Sequence, residues 1–306
     1  MGEATDNVAY NFFAGHIGHL SASQAAALEA FKGALSDAKL YDPESPTPDD
    51  PTLLRFLRAR SWDPAAALKQ FSDAHAWRRK HDVDNLYATF DATELENSRR
   101  FYPRWTGRRD KNGMPIYVYH LASLDSAIQK EIHAVPPERR FQRIVALYEY
   151  MVRFAFPLCS FLPHPTQTPI TCVTTIIDLQ GVAISSMWAL RSHLAESSKL
   201  ATANYPETLS TIAIVNAPSF FPTIWGWIKG WFDPGTRNKI HILGKNPSET
   251  LLKLVDAQNL PRLYGGTLEW DFSCEPNLDD ATKNVVGGEE MPKGAAVFVD
   301  GNVARP

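Results

Sequence analysis

The stretch Ile170 to Asp178 (ITCVTTIID) constrains the fold more than any other, because it carries apolar and threonine side chains and no charge before Asp178. A strand without a polar face cannot lie on a half-solvated sheet. It needs cover on both sides, as a central strand of a parallel sheet has. Pro115 to His120 (PIYVYH) and Thr211 to Asn216 read as further strands, and Lys239 to Leu243 as a short one. Helical patterns lie between them. Phe141, Ile144, Tyr148, Met151 and Ala155 mark a long helix that Pro157 is expected to stop, and Met187, Leu190, Leu194 and Ala201 mark another. An aromatic helix spans about Phe221 to Phe232, and a last one has Asn246 as N-cap, Pro247 at N1 and Glu249 at N3. The succession is βαβαβ, which predicts an α/β fold with right-handed crossovers and a largely parallel sheet.

The N-terminal part reads as helices only. Ser21 and Gln24 form a capping box ahead of Leu28, Phe31 and Leu35, which recur at helical steps. Four prolines between Tyr41 and Pro51 make a loop. A second helix begins near Thr52 with LLRFLRAR, and a third follows Asp63 as N-cap and Pro64 at N1, with Ala67, Leu68, Phe71 and Ala74 on one face. Residues after about Asp271 are rich in Gly, Asp, Glu and Asn, with only Ala295 to Val299 strand-like, and are expected to pack loosely.

A chain of 306 residues is long enough for a sizeable core, and 44% apolar with 21% charged residues is the composition of a globular protein. A formal charge of −3 gives no global reason to bind nucleic acid, so any basic site must be local. Three cysteines without CxxC spacing argue against a disulfide framework and a structural zinc, and point to a reducing compartment. The N-terminus lacks the pattern of a signal peptide, no run approaches about 18 apolar residues, and Asp6 stands where a myristoylation motif wants Ser or Thr. The expectation is a cytosolic protein that touches membranes through its folded surface.

Catalytic signatures are missing. There is no G-x-S-x-G, H-E-x-x-H, G-x-G-x-x-G or Walker A loop, Ser185 and Ser186 have no evident base, and His16 with His19 lack further ligands for a metal. The expectation is no enzyme, no catalytic residue, no metal and no cofactor.

Two constellations remain. The segment Ser219 to Trp231 (SFFPTIWGWIKGW) holds Trp225, Trp227 and Trp231 and one charge, Lys229. On a helix Phe221, Ile224, Trp225, Ile228 and Phe232 form one stripe while Trp227 points elsewhere, with Gly226 and Gly230 loosening the backbone. This is either a buried crossover helix or a movable lid that covers an apolar cavity and meets a membrane interface. Arg60, at the end of LLRFLRAR, and a turn with Thr236, Arg237 and Lys239 are the second set, either solvated surface charges or a phosphate site.

LLRFLRARSWDPAAAL, FYPRW…DKNGMPIYVY, IIDLQGVAISS, NYPE…IVNAP, WFDPGTRNKIHIL and NLPRLYGG follow in that order from about Thr52 to Trp270. They resemble the CRAL-TRIO lipid-binding proteins, most of all the fungal phosphatidylinositol/phosphatidylcholine transfer proteins. The resemblance implies a helical N-terminal subdomain (1–93), a lipid-binding domain (94–270) whose sheet floors a hydrophobic pocket, and a tail (271–306). It also implies a gate helix, which falls on Phe221, Ile224, Trp225, Trp227, Ile228, Trp231 and Phe232.

By the same resemblance Arg60, Glu207, Thr236 and Lys239 hold an inositol phosphate headgroup, and all four have the family's residue types, while Ser61 stands where lysine is common. Of the phosphatidylcholine contacts, Tyr117 and Thr175 match. Val173 replaces a serine, and Thr106 and Phe154 stand where tyrosines would cage choline. Valine donates no hydrogen bond, and fewer aromatic hydroxyls weaken recognition of a quaternary ammonium. The resemblance therefore implies a monomeric carrier that exchanges phosphatidylinositol between membranes, with weak or absent phosphatidylcholine exchange. It would support phosphoinositide signalling and trafficking, peripherally on membranes such as Golgi or endoplasmic reticulum. The alternative is a carrier or sensor of another hydrophobic ligand such as a sterol.

Overall fold

The computed structural model describes residues 13–45, 47–231, 237–244 and 246–306. Helix α1 (Ala22–Asp37) opens on the expected capping box, in which Gln24 N donates to Ser21 Oγ at 3.2 Å and Ser21 N to Gln24 Oε1 at 2.9 Å. Asp49 caps α2 (Asp50–Ala59), and Asp63 caps α3 (Pro64–Lys80). The three pack around Phe31, Leu53, Leu57 and Phe71 in a core of their own. Short helices α4 (Val83–Ala88) and α5 (Ala92–Ser98) lead into the sheet.

Among the described residues, β1 (Arg104–Arg109), β2 (Pro115–His120), β3 (Val173–Asp178), β4 (Leu209–Val215) and β5 (Ile240–Ile242) form one sheet in that spatial order. Only β1 runs antiparallel to its neighbour. The two-sided apolar strand β3 is the middle one, as its composition requires. Alternation then sorts the side chains. Ile116, Val118, Ile176, Ala213 and Val215 face a core completed by Leu251, Val255 and Tyr264. The rows Tyr117–Thr175–Ile212–Ile240 and Tyr119–Ile177–Ile214, paired across the strands, are displayed on the other face.

The helices that cover the sheet are α6 (Ser126–His133), α7 (Pro137–Tyr150), α8 (Phe156–Phe161), α9 (Ile184–Asn204), α10 (Phe221–Ile228) and α11 (Ser248–Leu254). Pro157 does not stop the long helix, contrary to expectation. A π-turn at Met151–Ala155, with Phe156 N donating to Met151 O, widens the helix where the proline ring would meet the preceding turn, and the chain runs on to Phe161. Asn246 is not an N-cap either. The first helical bond of α11 runs from Leu251 N to Pro247 O, so the helix starts later and without a side-chain cap. In the NLPRLYGG motif a Cβ on Gly266 would lie 1.9 Å from Leu260 O, so only glycine fits the crossing.

The tail is well packed, which corrects the sequence reading. Helix α12 (Asp280–Val286) and a hairpin of β6 (Val297–Val299) and β7 (Asn302–Ala304) follow the main domain. Ala295, Ala296, Val297 and Phe298 are buried in the core that holds Phe154 and Leu158. Composition hid this because one short apolar run suffices to dock a polar segment. Tyr87, itself buried on α4, locks it: its hydroxyl donates to Ala296 O at 2.6 Å and accepts from Ala296 N at 3.0 Å. Tyr87→Phe leaves two buried backbone groups unpaired and should lower unfolding free energy by about 1–3 kcal/mol, read by urea titration.

The β1–β2 hairpin is tied to β3 by Asp110. Its Oδ1 accepts from Asn112 N and Met114 N, both at 2.9 Å, and its Oδ2 from the Thr174 hydroxyl at 2.7 Å. Burial outweighs these donors and pushes the carboxyl up from 3.8 to about 6. The folded protein then holds a proton that the unfolded chain has already lost, so this residue makes stability fall as pH rises from 3.8 to about 6. Stability measured across that window should change with a more positive pH slope in Asp110→Asn than in the parent protein, because the one falling contribution of Asp110 is gone, and equal slopes would refute the assignment.

Candidate functional site

Beneath α9 and α10 the second face of the sheet is not filled, and a cavity of about 360 Å³ lies there, within the roughly 300–1,000 Å³ usual for small-molecule sites. Tyr117, Thr175, Ile177, Ile212 and Ile214 make its floor. Leu147, Tyr148 and Met151 form one wall, and Leu194 and Ala201 of α9 with Phe221 and Trp225 of α10 form the roof. Burial pushes the Tyr148 hydroxyl up to about 12, and those of Tyr117 and Tyr119 further, so the phenols stay neutral. Such a space takes an apolar ligand.

One part of the lining is ionic. Lys239 Nζ lies 2.8 Å from Glu207 Oε2, and Arg58 Nε lies 3.9 Å from the same oxygen on its other approach. Glu207 sits at φ +56°, a left-handed conformation unusual for a side-chain-bearing residue. Its carbonyl is held by Cys172 Sγ at 3.4 Å and Arg58 Nη2 at 3.5 Å. Arg60, the C-cap of α2, lines the same cavity, its Nη1 donating to Ala59 O at 3.1 Å. Arg58 and Lys239 thus share a single carboxylate, Arg60 stands on the same lining, and the surplus is positive. Behind them Arg55 is buried, pushed down to about 10 by burial and then by Arg58, and still a cation at neutral pH. His16, beside Cys172, is lowered to about 3 by burial and then Arg58, and is neutral. The arrangement can neutralise a phosphate diester while the carboxylate accepts from hydroxyls.

The fold therefore brings Glu207 and Lys239 into contact and sets Arg60 on the same cavity, while Thr236 lies outside the described residues. Tyr117, Val173 and Thr175 line the cavity. Phe154 instead packs in the core with Tyr150 and Phe298, and Thr106 is buried in β1, its hydroxyl accepting from Arg108 N. On α10, Phe221 and Ile224 are buried, Trp225 is half-buried against the cavity, and Trp227 is exposed. Phe232 and the side chains of Ile228 and Trp231 lie outside the described residues.

Two participants, Arg58 and Tyr205, and one contact outside the lining escaped sequence reading. Arg58 is in the LLRFLRAR motif, but nothing in one sequence distinguishes it from Arg60. Tyr205 lines the cavity, stacks on Tyr148 at 4.8 Å and donates to buried Glu149 at 2.7 Å. Arg99 lies 4.2 Å from the Tyr150 ring centroid, with Nε donating to Glu96 at 2.7 Å. The last two contacts span far-apart segments and leave no periodic signal.

Comparison with known proteins agrees with this geometry. Residues 102–266 match the CRAL/TRIO domain and residues 27–73 the CRAL/TRIO N-terminal domain. The Sec14 cytosolic factor of Schizosaccharomyces pombe is 36% identical over 267 residues, covering 87% of this chain and 90% of that protein. The phosphatidylinositol/phosphatidylcholine transfer protein SFH4 of Arabidopsis thaliana is 34% identical over 70% of this chain and 35% of its own length. The crystal structure of Sfh5, at 18% identity, superposes with a TM-score of 0.59 over 85% of this chain and 93% of that one, a likeness of fold. With one domain spanning more than half its length and a relative matched nearly end to end, the chain belongs to the CRAL/TRIO domain family.

Proposed function

We propose that this protein is a phosphatidylinositol transfer protein, which takes one phospholipid into its cavity and exchanges it between membranes. The observation that carries the reading is an apolar cavity with a Lys239–Glu207–Arg58 cluster and Arg60 on its lining. Acyl chains lose ~0.8 kcal/mol per CH₂ on exposure to water, so extraction needs a space as apolar as the bilayer. The inositol phosphate headgroup needs cations with an acceptor beside them. Lys239 would turn from Glu207 to the phosphate, Arg58 would keep Glu207 company, and Thr236 would hydrogen-bond the phosphate. Relatives named cytosolic factors and phosphatidylinositol/phosphatidylcholine transfer proteins support a cytosolic carrier of phospholipid; its transient visits to membranes such as those of Golgi or endoplasmic reticulum are part of the proposal.

The preference against phosphatidylcholine rests on three features. Val173, on the cavity lining, offers no side-chain hydrogen bond; Phe154 is turned into the core; and Thr106, where a tyrosine would cage choline, is buried in β1.

Lys239→Ala combined with Thr236→Ala should abolish phosphatidylinositol transfer between vesicles in a protein that stays folded, each lost charge-assisted contact costing about 1.5–3 kcal/mol. Normal transfer by the folded double variant would remove the site assignment. Lipids extracted from the purified protein and identified by mass spectrometry should be phosphatidylinositol; a sterol there would favour the alternative carrier.

Labelled phosphatidylcholine should move much more slowly than phosphatidylinositol, and Val173→Ser should raise its rate. Phe154→Tyr would set a hydroxyl in the packed core, so the serine substitution is the informative one. Comparable rates for both lipids in the parent protein would refute the preference.

A further inference from the structure

Trp188 on α9 and Trp227 on α10 are each 56% exposed. They meet edge to face with ring centroids 6.0 Å apart. Arg191, one turn after Trp188, holds its guanidinium carbon 4.2 Å from the Trp188 ring centroid while Nη1 donates to the Trp188 carbonyl at 2.6 Å. The same two helices roof the cavity with Leu194, Ala201, Phe221 and Trp225. The indole pair therefore bridges them on the outside, where water meets two large aromatic surfaces.

The charge on the elements that carry the pair is one-sided. Helices α9 and α10 and the turn Lys229–Trp231 carry exposed Arg191, Lys199 and Lys229 against one acid, Glu196, in a protein whose net charge is −3. Indoles settle at the headgroup level of a bilayer, and basic side chains beside them gain from anionic lipid.

We propose that Trp188 and Arg191 extend the gate helix into a bilayer-docking surface that prefers anionic phospholipid. The proposal rests on the lipid-transfer reading and adds α9 to it. Off the membrane the two indoles cover one another. At the headgroup boundary each finds its own surroundings, and the contact that joins α9 to α10 is exchanged for contact with lipid. Docking and opening are thereby coupled through one aromatic pair.

The test is co-sedimentation with phosphatidylcholine vesicles, with and without phosphatidylserine. The parent protein should bind the phosphatidylserine-containing vesicles more tightly. Trp188→Ala should bind both kinds roughly tenfold more weakly. Arg191→Gln should lose about fivefold on the anionic vesicles and nothing on the neutral ones. Neither residue lines the cavity, so equilibrium phosphatidylinositol occupancy, read by native mass spectrometry after prolonged loading, should stay at the parent level in both variants even where the rate of exchange falls with docking, and it also reports that they are folded. Trp188→Phe, which keeps a ring but not the indole N–H, should fall between parent and alanine. Docking of both variants at the parent level, or a parent that ignores both vesicles, would overturn the surface and leave lipid loading standing. A parent that docks through these residues yet takes up no phosphatidylinositol would instead overturn the transfer reading alone.

Discussion

The cavity exists because the sheet has two apolar faces and only one is filled by the chain's own side chains. Strict alternation along β2, β3 and β4 sends Ile116, Val118, Ile176 and Val215 into a solid core against α11 and the Tyr264 turn. The residues between them, Tyr117, Thr175, Ile177 and Ile214, then have to look the other way. A one-residue slip would exchange the two sets, so packing of the filled face fixes the floor of the empty one. The chain thus keeps an unfilled apolar surface without giving up a core.

Buried polar groups hold the frame around that space. Asp178, fully buried at the end of β3, accepts from Gln180 N and Asn216 Nδ2 at 2.9 Å and from the Tyr264 hydroxyl at 3.1 Å, joining two strand ends to the NLPRLYGG turn. Glu149, equally buried on α7, takes both arms of the Arg78 guanidinium at 2.7 and 3.0 Å and the Tyr205 hydroxyl. The pair with Glu149 raises Arg78 above its ordinary value against the pull of burial, so the guanidinium stays charged. A carboxylate buried with one partner removed would be costly, and this makes the N-terminal helices and the cavity wall a single unit.

Charge and aromatic surface are divided between different parts of the cavity's surroundings. Arg60 and Lys239 on the lining, with Arg58 beside Glu207, outnumber that carboxylate, while Trp188, Trp227 and Arg191 lie outside the roof. In the proposed exchange cycle the first group recognises the headgroup and the second meets the membrane. Helix α10 belongs to both: Phe221 and Ile224 anchor it inward and Trp227 faces water.

Local sequence chemistry determined what short-range physics controls. The capping box at Ser21, the Asp63–Pro64 helix start, the central place of the Ile170–Asp178 run and the inward stripe of α10 follow from propensity, capping and periodicity over a few residues. The resemblance added Glu207 and gave Lys239, which by itself reads equally as a surface charge, its place beside a headgroup. Tertiary structure decided what depends on distant partners. Pro157 is carried through by a π-turn, Ala295 to Phe298 dock on Tyr87, and Phe154 turns into the core. Arg58 reaches Glu207 across 149 residues, and Trp188 meets Trp227. A sequence pattern records which face of its own element a residue takes, but not which other element comes to meet that face, and the cavity, its ionic lining and its outer indole pair are all meetings of that second kind.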